Sequence, residues 1–211
     1  MAISTKAELV TAVENWLNRS DLTARIPEFI SLAEASFNRN LRTRDMLVRS
    51  TASTAGQYVS LPTDFLEMLN IELTSTSPPK RLIYITSDRS DDYREQQNNI
   101  TDTPDYYTIE GVAIQLLPTP SASVTVQLNY YQDIPALSGL GDSGNNWLLL
   151  AHPDIYLFAT LMQASPYIMD PQAGQQWDSL YARSMQELQM SDEKSRYSGG
   201  TLNMRPKYIY T

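Results

Sequence analysis

The chain has 211 residues, of which 42% are hydrophobic, with no cysteine and a single histidine. This composition excludes wholesale disorder, a disulfide framework, cysteine-ligated metal centres and thiol catalysis. The net charge of −8 argues against general nucleic-acid binding, which requires a basic face. Residues 1–50 carry seven Lys and Arg against six Asp and Glu, whereas residues 51–211 carry nine against eighteen.

The first 44 residues are typical of two amphipathic helices. Thr5 and Glu8 form a capping box, in which two side chains satisfy free amides at a helix start. A second helix follows, and Pro27 is tolerated in its first turn. Its predicted buried face is Ile26, Phe29, Ile30, Ala33, Phe37 and Leu41. The opposite face, which we expect to be exposed, carries Glu28, Glu34, Arg39 and Arg42.

From about Asp45 the hydrophobic period becomes two, which indicates half-buried antiparallel strands. Glu110-Gly111 predicts a tight hairpin, and a short helix over Asp88–Glu95 interrupts the strands. The apolar positions expected on the inner face are Leu69, Ile71, Leu73, Val112, Ile114, Leu116, Val124, Val126, Leu128 and Tyr130.

A loop rich in Gly, Ser and Pro over 134–145 precedes a return to the helical period. The helix that starts at Pro153 is apolar nearly all round, so we expect it to lie centrally. Asp170 and Pro171 predict the cap and first residue of a long final helix, which Gly199-Gly200 should end.

These elements predict an α+β fold with four segments. Neither helical pair can bury its apolar face alone, so we expect a helical bundle formed by both chain ends, over 1–44 and 136–198. An antiparallel β lobe is inserted between them over 45–135. Residues 199–211 follow as an extended C-terminal arm. Its last eleven residues contain no acid, and they are interpreted either as a frayed terminus or as an arm that adds to a partner's sheet or groove. The candidate binding residues of the arm are Leu202, Met204, Arg205, Pro206, Lys207, Tyr208, Ile209, Tyr210 and Thr211.

No catalytic, cofactor-binding or metal site is predicted. The acids between Asp88 and Glu95 suit a helix N-terminus better than a cation site, and His152 suits a structural or capping role better than a base. The one basic cluster is Arg39, Arg42, Arg44 and Arg49. It either complements a helix C-terminus or makes an electrostatic contact with an acidic partner or passing DNA.

Four stretches, in their order and spacing, resemble the head-to-tail adaptor (connector) proteins of tailed bacteriophages. Their motifs consist of packing and capping residues and together span most of the chain. They are Ile26-Pro27-Glu28-Phe29-Ile30 with Ala33-Glu34 and Asn38-Arg39-x-Leu41-Arg42, then Leu61-Pro62-Thr63-Asp64-Phe65-Leu66, then Asn146-Trp147-Leu148-Leu149, and finally His152-Pro153-Asp154-Ile155-Tyr156 through Ala164-Ser165-Pro166-Tyr167.

The resemblance implies a structural virion protein with no enzymatic activity and no cofactor. Copies would form a ring, typically a dodecamer, beneath the portal protein, extending the DNA channel and docking a tail or tail-tube (nozzle) protein. The C-terminal arm would grip the portal. The acidic balance of the chain fits a channel wall past which DNA slides without specific binding. The protein would be made in the host cytoplasm and end in the head-tail connector region, with no membrane partner.

Other functions remain open from the residues alone. Another neck or tail-completion protein would differ from an adaptor in position and copy number rather than in chemistry. A hydrolase that uses carboxylates such as Asp91 or Asp92 is a second alternative. A nucleic-acid-binding packaging subunit is the third, and the acidic balance of the chain argues against it.

Overall fold

The computed structural model describes residues 3–98 and 100–197, and these fall into two units. The first unit comprises residues 1–44 and 134–211 and is helical where it is described. The second comprises residues 45–133 and contains the eight described strands and one helix. The fold class is therefore α+β, as predicted.

The helices of the first unit begin and end close to the predicted signals. They are α1 (Lys6–Leu17), α2 (Ile26–Asn40), α4 (Trp147–Ala151), α5 (Pro153–Ile168) and α6 (Pro171–Tyr197). The capping box is confirmed, because the Thr5 hydroxyl accepts the amide of Glu8 and the Glu8 carboxylate accepts the amide of Thr5. Pro27 lies in the first turn of α2, and the Asp170 carboxylate accepts the Ala173 amide at the start of α6.

Helix α5 is the centre of the helical unit, as its uniformly apolar sequence predicts. It packs against α1, α2, α4 and α6. The ring of Phe37 on α2 meets Tyr156 on α5 edge-on, with centroids 5.0 Å apart, and both side chains are fully buried. The predicted buried face of α2 is confirmed from Ile26 to Leu41. No described helix has both the length and the apolar character needed to cross a membrane.

The loop over 134–146 docks on the start of α1 through backbone groups. The carbonyls of Gly144 and Asp142 accept the amides of Lys6 and Ala7 at 2.9 and 3.0 Å. Amides in the first turn of a helix have no partner within the helix, so the loop satisfies two of them. Gly141 has a φ of +70°, which favours glycine, and the Gly144 amide donates back to its carbonyl.

Residues 45–133 form two four-stranded sheets that face one another. The strands are β1 (Leu47–Thr54), β2 (Tyr58–Ser60), β3 (Phe65–Leu73), β4 (Lys80–Arg81), β5 (Ile83–Tyr84), β6 (Tyr106–Glu110), β7 (Ala113–Leu117) and β8 (Val124–Gln132). The first sheet has the order β1-β8-β3-β4 and the second β2-β7-β6-β5. All pairs are antiparallel except β5 with β6, which pair in parallel over two residues. Helix α3 (Ser87–Gln96) follows β5 and packs on β6.

The chain passes from one sheet to the other at both edges. β1 leads into β2 after three residues, and β4 leads into β5 after one. At the second crossing the Leu82 amide donates to Ile71 in the first sheet, whereas the Ile83 and Ile85 amides donate to Asp105 and Tyr107 in the second. The core between the sheets is Val59, Ile71, Leu73, Leu82, Tyr107, Ile114, Leu116, Val124, Val126, Leu128 and Tyr130.

Three positions of the strands differ from the predicted alternation. Leu69 is exposed because a β-bulge between Met68 and Asn70 shifts the register of β3. Val112 is 83% exposed because it lies in the hairpin turn with Gly111, before β7 begins. Gln115 is buried because α3 covers that face of the second sheet, and its side chain accepts the Ser90 hydroxyl at 3.3 Å. The hairpin at Glu110-Gly111 is confirmed.

The docked loop predicts a sharp difference between two glycine substitutions. A Cβ on Gly144 would lie 2.3 Å from the Cβ of Leu140 and 2.9 Å from its carbonyl oxygen, whereas a Cβ on Gly139 would have no neighbour within 4 Å. We expect Gly144→Ala to lower the free energy of unfolding by about 1–3 kcal/mol, the usual range for overpacking, and Gly139→Ala to change it by less than about 0.5 kcal/mol. Urea unfolding followed by circular dichroism measures both. Equal effects of the two variants would contradict the close packing of Gly144 against Leu140 within the loop.

Candidate interaction surfaces

One buried polar cluster, Glu34 with Asn146 and Tyr156, anchors the 134–146 loop in the helical unit. The Glu34 carboxylate accepts the Leu137 amide at 2.8 Å and the Tyr156 hydroxyl at 3.3 Å. The Asn146 amide nitrogen donates to that hydroxyl at 2.6 Å and to the carbonyl of Pro135 at 2.8 Å. We call this cluster the loop anchor. It holds the loop in place, and each of its hydrogen bonds satisfies a buried polar group.

Glu34 is the clearest correction to the sequence analysis of the helices. The helical period places it on the face expected to be exposed, yet it is only 4% exposed. Burial raises the pKa of Glu34 above its ordinary value of 4.5, and the hydrogen bonds from Leu137 and Tyr156 oppose that rise. The pKa of the Tyr156 hydroxyl is also raised, chiefly by burial.

The α5–α6 corner carries an exposed apolar cleft of about 430 Å³. Met169 lies beside it, 88% exposed and with a φ of +55°, a conformation that is unusual for a large side chain. The cleft is lined by Met162, Ser165, Pro166, Met169, Asp170, Pro171 and Gly174. Trp16 packs edge-on against Trp177 nearby along α6, with ring centroids 5.4 Å apart, and keeps half of its surface exposed.

The β lobe carries a second exposed apolar surface, defined here as the lobe patch: Leu69, Ile83 and Tyr84. All three line one hollow of about 400 Å³, and Ile83 and Tyr84 also line a neighbouring hollow of about 450 Å³. Ile83 and Tyr84 therefore lie where the two hollows adjoin. The second hollow is completed by Ile85, Arg89, Asp92, Tyr93, Gln96 and Tyr106.

The two units differ strongly in charge. Residues 45–133 contain twelve Asp and Glu against five Lys and Arg, a net charge of −7. The remaining residues contain twelve acids against eleven bases, a net charge of −1. Almost all of the charge imbalance of the chain therefore belongs to the β lobe.

Comparison with known families identifies the group of proteins to which the chain belongs. A sequence model of the SU10 adaptor protein family matches residues 4–205, which is nearly the whole chain. The chain belongs to this family of phage head-to-tail adaptors. It is therefore a phage adaptor protein and a virion component, and its family is a structural one. A comparison with curated proteins found no match.

The four arginines of the basic cluster belong to two different units of the chain. Arg39, Arg42 and Arg44 lie at or after the end of α2 in the helical unit, and Arg49 lies on β1 of the lobe. The Arg42 guanidinium donates to the carbonyl of Asn38 at 2.8 Å, a contact typical of a cation at a helix C-terminus.

The same region of the adaptor docks the C-terminal half of α6. Asp192 accepts the backbone amide of Arg44 at 2.8 Å and forms an ion pair with Arg196 at 2.9 Å. Arg196 also donates to the carbonyl of Arg42 at 3.1 Å. The segment that follows α2 therefore has a structural role in the adaptor in addition to any contact with a partner.

The other polar candidates of the sequence analysis are the acids of α3, in the β lobe, and His152, in the helical unit. The acids of α3 are exposed, and Asp91 forms an ion pair with Arg94 at 3.8 Å. No group of acidic or histidine side chains in the described residues has the geometry of a metal site. His152 joins α4 to α5, where its amide donates to Leu148 at 2.8 Å and its side chain makes no capping hydrogen bond.

The predicted arm lies outside the described residues, as do Gly199 and Gly200. Sequence reasoning missed both Glu34 and the lobe patch. A signal for Glu34 was available, because Glu34 lies on the helix face that adjoins the buried Ala33 and Phe37. A carboxylate at the edge of a buried face requires hydrogen-bond donors once another element covers it. The strand that carries Ile83 and Tyr84 has only two residues, which is too short for a hydrophobic alternation to be recognised in the sequence.

The loop anchor predicts a specific pH dependence. The folded chain binds the Glu34 proton more tightly than the unfolded chain, because the pKa of Glu34 is raised on folding. Protonation of Glu34 therefore stabilises the folded state fully below about pH 4.5, and this stabilisation is lost as the pH rises through the folded-state pKa. Glu34→Gln should abolish this pH dependence of stability, since a Gln side chain does not titrate and its amide oxygen still accepts both hydrogen bonds. Glu34→Ala leaves two buried donors unpaired and should destabilise the adaptor by about 1–3 kcal/mol.

Urea unfolding between pH 4 and pH 8 measures these effects. Glu28→Gln, on the exposed face of the same helix, is the matched control and should follow the wild-type curve. A Glu34→Gln variant with the pH slope of the wild type would show that the carboxylate does not carry the dependence.

Proposed function

We propose that this adaptor forms a ring beneath the portal, extends the DNA channel and docks the tail. The observation that carries the proposal is the family match over residues 4–205. In this proposal the helical unit is a bundle formed by both chain ends, it contacts the portal, and the β lobe is presented to the tail. The ring is a homo-oligomer, with twelve copies as the expected number.

The charge of the chain supports a channel through which DNA slides. A net charge of −7 on the lobe repels phosphate groups, so a wall built from this unit holds no DNA tightly. The exposed side chains of Arg39, Arg44 and Arg49 then serve contacts with acidic protein surfaces or brief contacts with passing DNA. Binding that depends on these arginines should weaken as salt is raised.

The helical unit offers two features suited to a stable contact with the portal. The first is the apolar cleft at the α5–α6 corner, with Met169 on its rim, because flexible Met side chains adapt to an incoming apolar group. The second is the proposed C-terminal arm, in which Arg205 and Lys207 lie between Met204 and the consecutive residues Tyr208, Ile209 and Tyr210. An extended segment of this composition suits a groove or sheet edge on a partner.

Electron microscopy of the adaptor mixed with the portal protein of the same phage tests this function. We expect a closed ring on the portal for the full chain, and loss of the ring after truncation behind Gly199. A full-length variant in which Tyr208, Ile209 and Tyr210 are changed to Ser is the matched control for arm length, and it should also lose the ring.

The other outcomes have definite meanings. A ring that survives both changes would retain the adaptor function and reject the arm. A complete absence of binding to the portal would contradict the proposed position and favour another neck or tail-completion role.

A further inference from the structure

We propose that the lobe patch is the surface that receives the tail, and that its partner is a basic protein loop carrying apolar side chains. This inference rests on the proposed function, since it names the residues and the partner chemistry of tail docking. It also goes beyond that function, because neither the family nor the position in the virion specifies a face of the lobe.

The first argument is the concentration of exposed apolar area. Single exposed apolar residues are normal on a protein surface, whereas a contiguous group beside concave hollows marks an interaction site. Ile83 is 60% exposed and Tyr84 is 54% exposed, and they are adjacent on one strand with Leu69 across the shared hollow. A partner therefore meets two exposed apolar side chains that are shared by two depressions of about 400 and 450 Å³.

The second argument is that the hollows have firm walls. Tyr84 packs edge-on against the buried Tyr107 with centroids 5.6 Å apart, and Tyr93 packs in the same way against Tyr106 at 5.3 Å. Tyrosines fixed in this way lose little freedom on binding and still present hydroxyl groups to a partner. Tyr and Arg are the residues that most often carry binding energy in interfaces, and Arg89 lines the hollow beside them.

The third argument concerns how the partner binds. The amides of Leu82, Ile83 and Ile85 are already used by the two sheets at this crossing. The short β5 edge therefore offers little backbone for an added strand. Docking here depends on side chains that enter the two hollows rather than on extension of a sheet.

The fourth argument is charge, which selects the partner. Asp92 and Arg89 line the larger hollow and Arg81 lines the smaller one, so the hollows themselves carry both signs of charge and the excess of acids lies in the surrounding lobe. The helix that carries Asp92 also bears Asp88, Asp91 and Glu95, and the lobe as a whole has a net charge of −7. Another copy of the lobe or a DNA backbone would be repelled, whereas a basic loop is attracted and steered to the patch.

Direct binding of the full-length adaptor to tails isolated from the same phage tests the inference. Tyr84→Ser and, independently, Ile83→Ser should each weaken binding about tenfold or more, as expected for residues at the centre of an interface. Tyr58→Ser is the matched control, because Tyr58 is equally exposed but lies on β2 at the opposite edge of the same sheet. It should change binding less than about twofold.

A second pair of variants tests the charge. Asp92→Asn should lower the association rate several-fold at low salt and reduce its dependence on salt, whereas Asp102→Asn, another exposed lobe carboxylate, should do neither. Circular dichroism and thermal unfolding of each variant show whether the lobe remains folded. The readout does not require the portal, so a failure of ring formation on the portal is distinguishable from a failure of this inference.

Three results would overturn the assignment. Tail binding that is unchanged in both Tyr84→Ser and Ile83→Ser would remove the patch from the docking surface. An equal loss in Tyr58→Ser would show a general effect of the lobe. Loss of ring formation on the portal with tail binding retained, or loss of self-association in sedimentation, would assign the patch to contact between adaptor copies.

Discussion

A buried carboxylate holds together parts of the chain that are far apart in sequence. Glu34 on α2 accepts hydrogen bonds from groups 103 and 122 residues later, on the 134–146 loop and on α5. The 45–133 lobe is inserted between these partners. Because the entropy of closing a loop grows only slowly with its length, an insertion of this size adds little to the cost of forming the helical unit. The lobe can therefore carry its own surface and charge while α2 and α5 remain packed.

The two units use their charges in different ways. In the helical unit, exposed ion pairs such as Arg19 with Asp21 and Arg183 with Glu187 join neighbouring positions on the surface. Such pairs contribute little to stability, and they leave the unit nearly neutral. The lobe instead has twelve acids and only five bases, so its negative charge is not neutralised within the lobe. An imbalance of this kind acts over distance, so it favours approach of a basic partner before any contact forms.

Local signals in the sequence predicted the starts of α1, α2 and α6, because caps and prolines act within one helical turn. Periodicity also predicted the core face of α2 and most of β8. It was wrong where another element overrides the local pattern: Glu34 is buried under the 134–146 loop, Gln115 is covered by α3, and a bulge turns Leu69 outward. The lobe patch could not be predicted from the sequence for a related reason, since Leu69 and Ile83 come together only when the two sheets have formed.

The way the chain crosses between the two sheets explains how the lobe can expose apolar side chains without pairing with identical chains. Exposed sheet edges invite pairing with identical chains, and short edges that turn into a second sheet suppress it. β4 and β5 have two residues each, and their link passes directly from one sheet to the other. Ile83 and Tyr84 can therefore remain exposed without offering a continuous strand. Recognition at this face then depends on side-chain shape and charge, and these properties discriminate a specific partner from another copy of the same lobe.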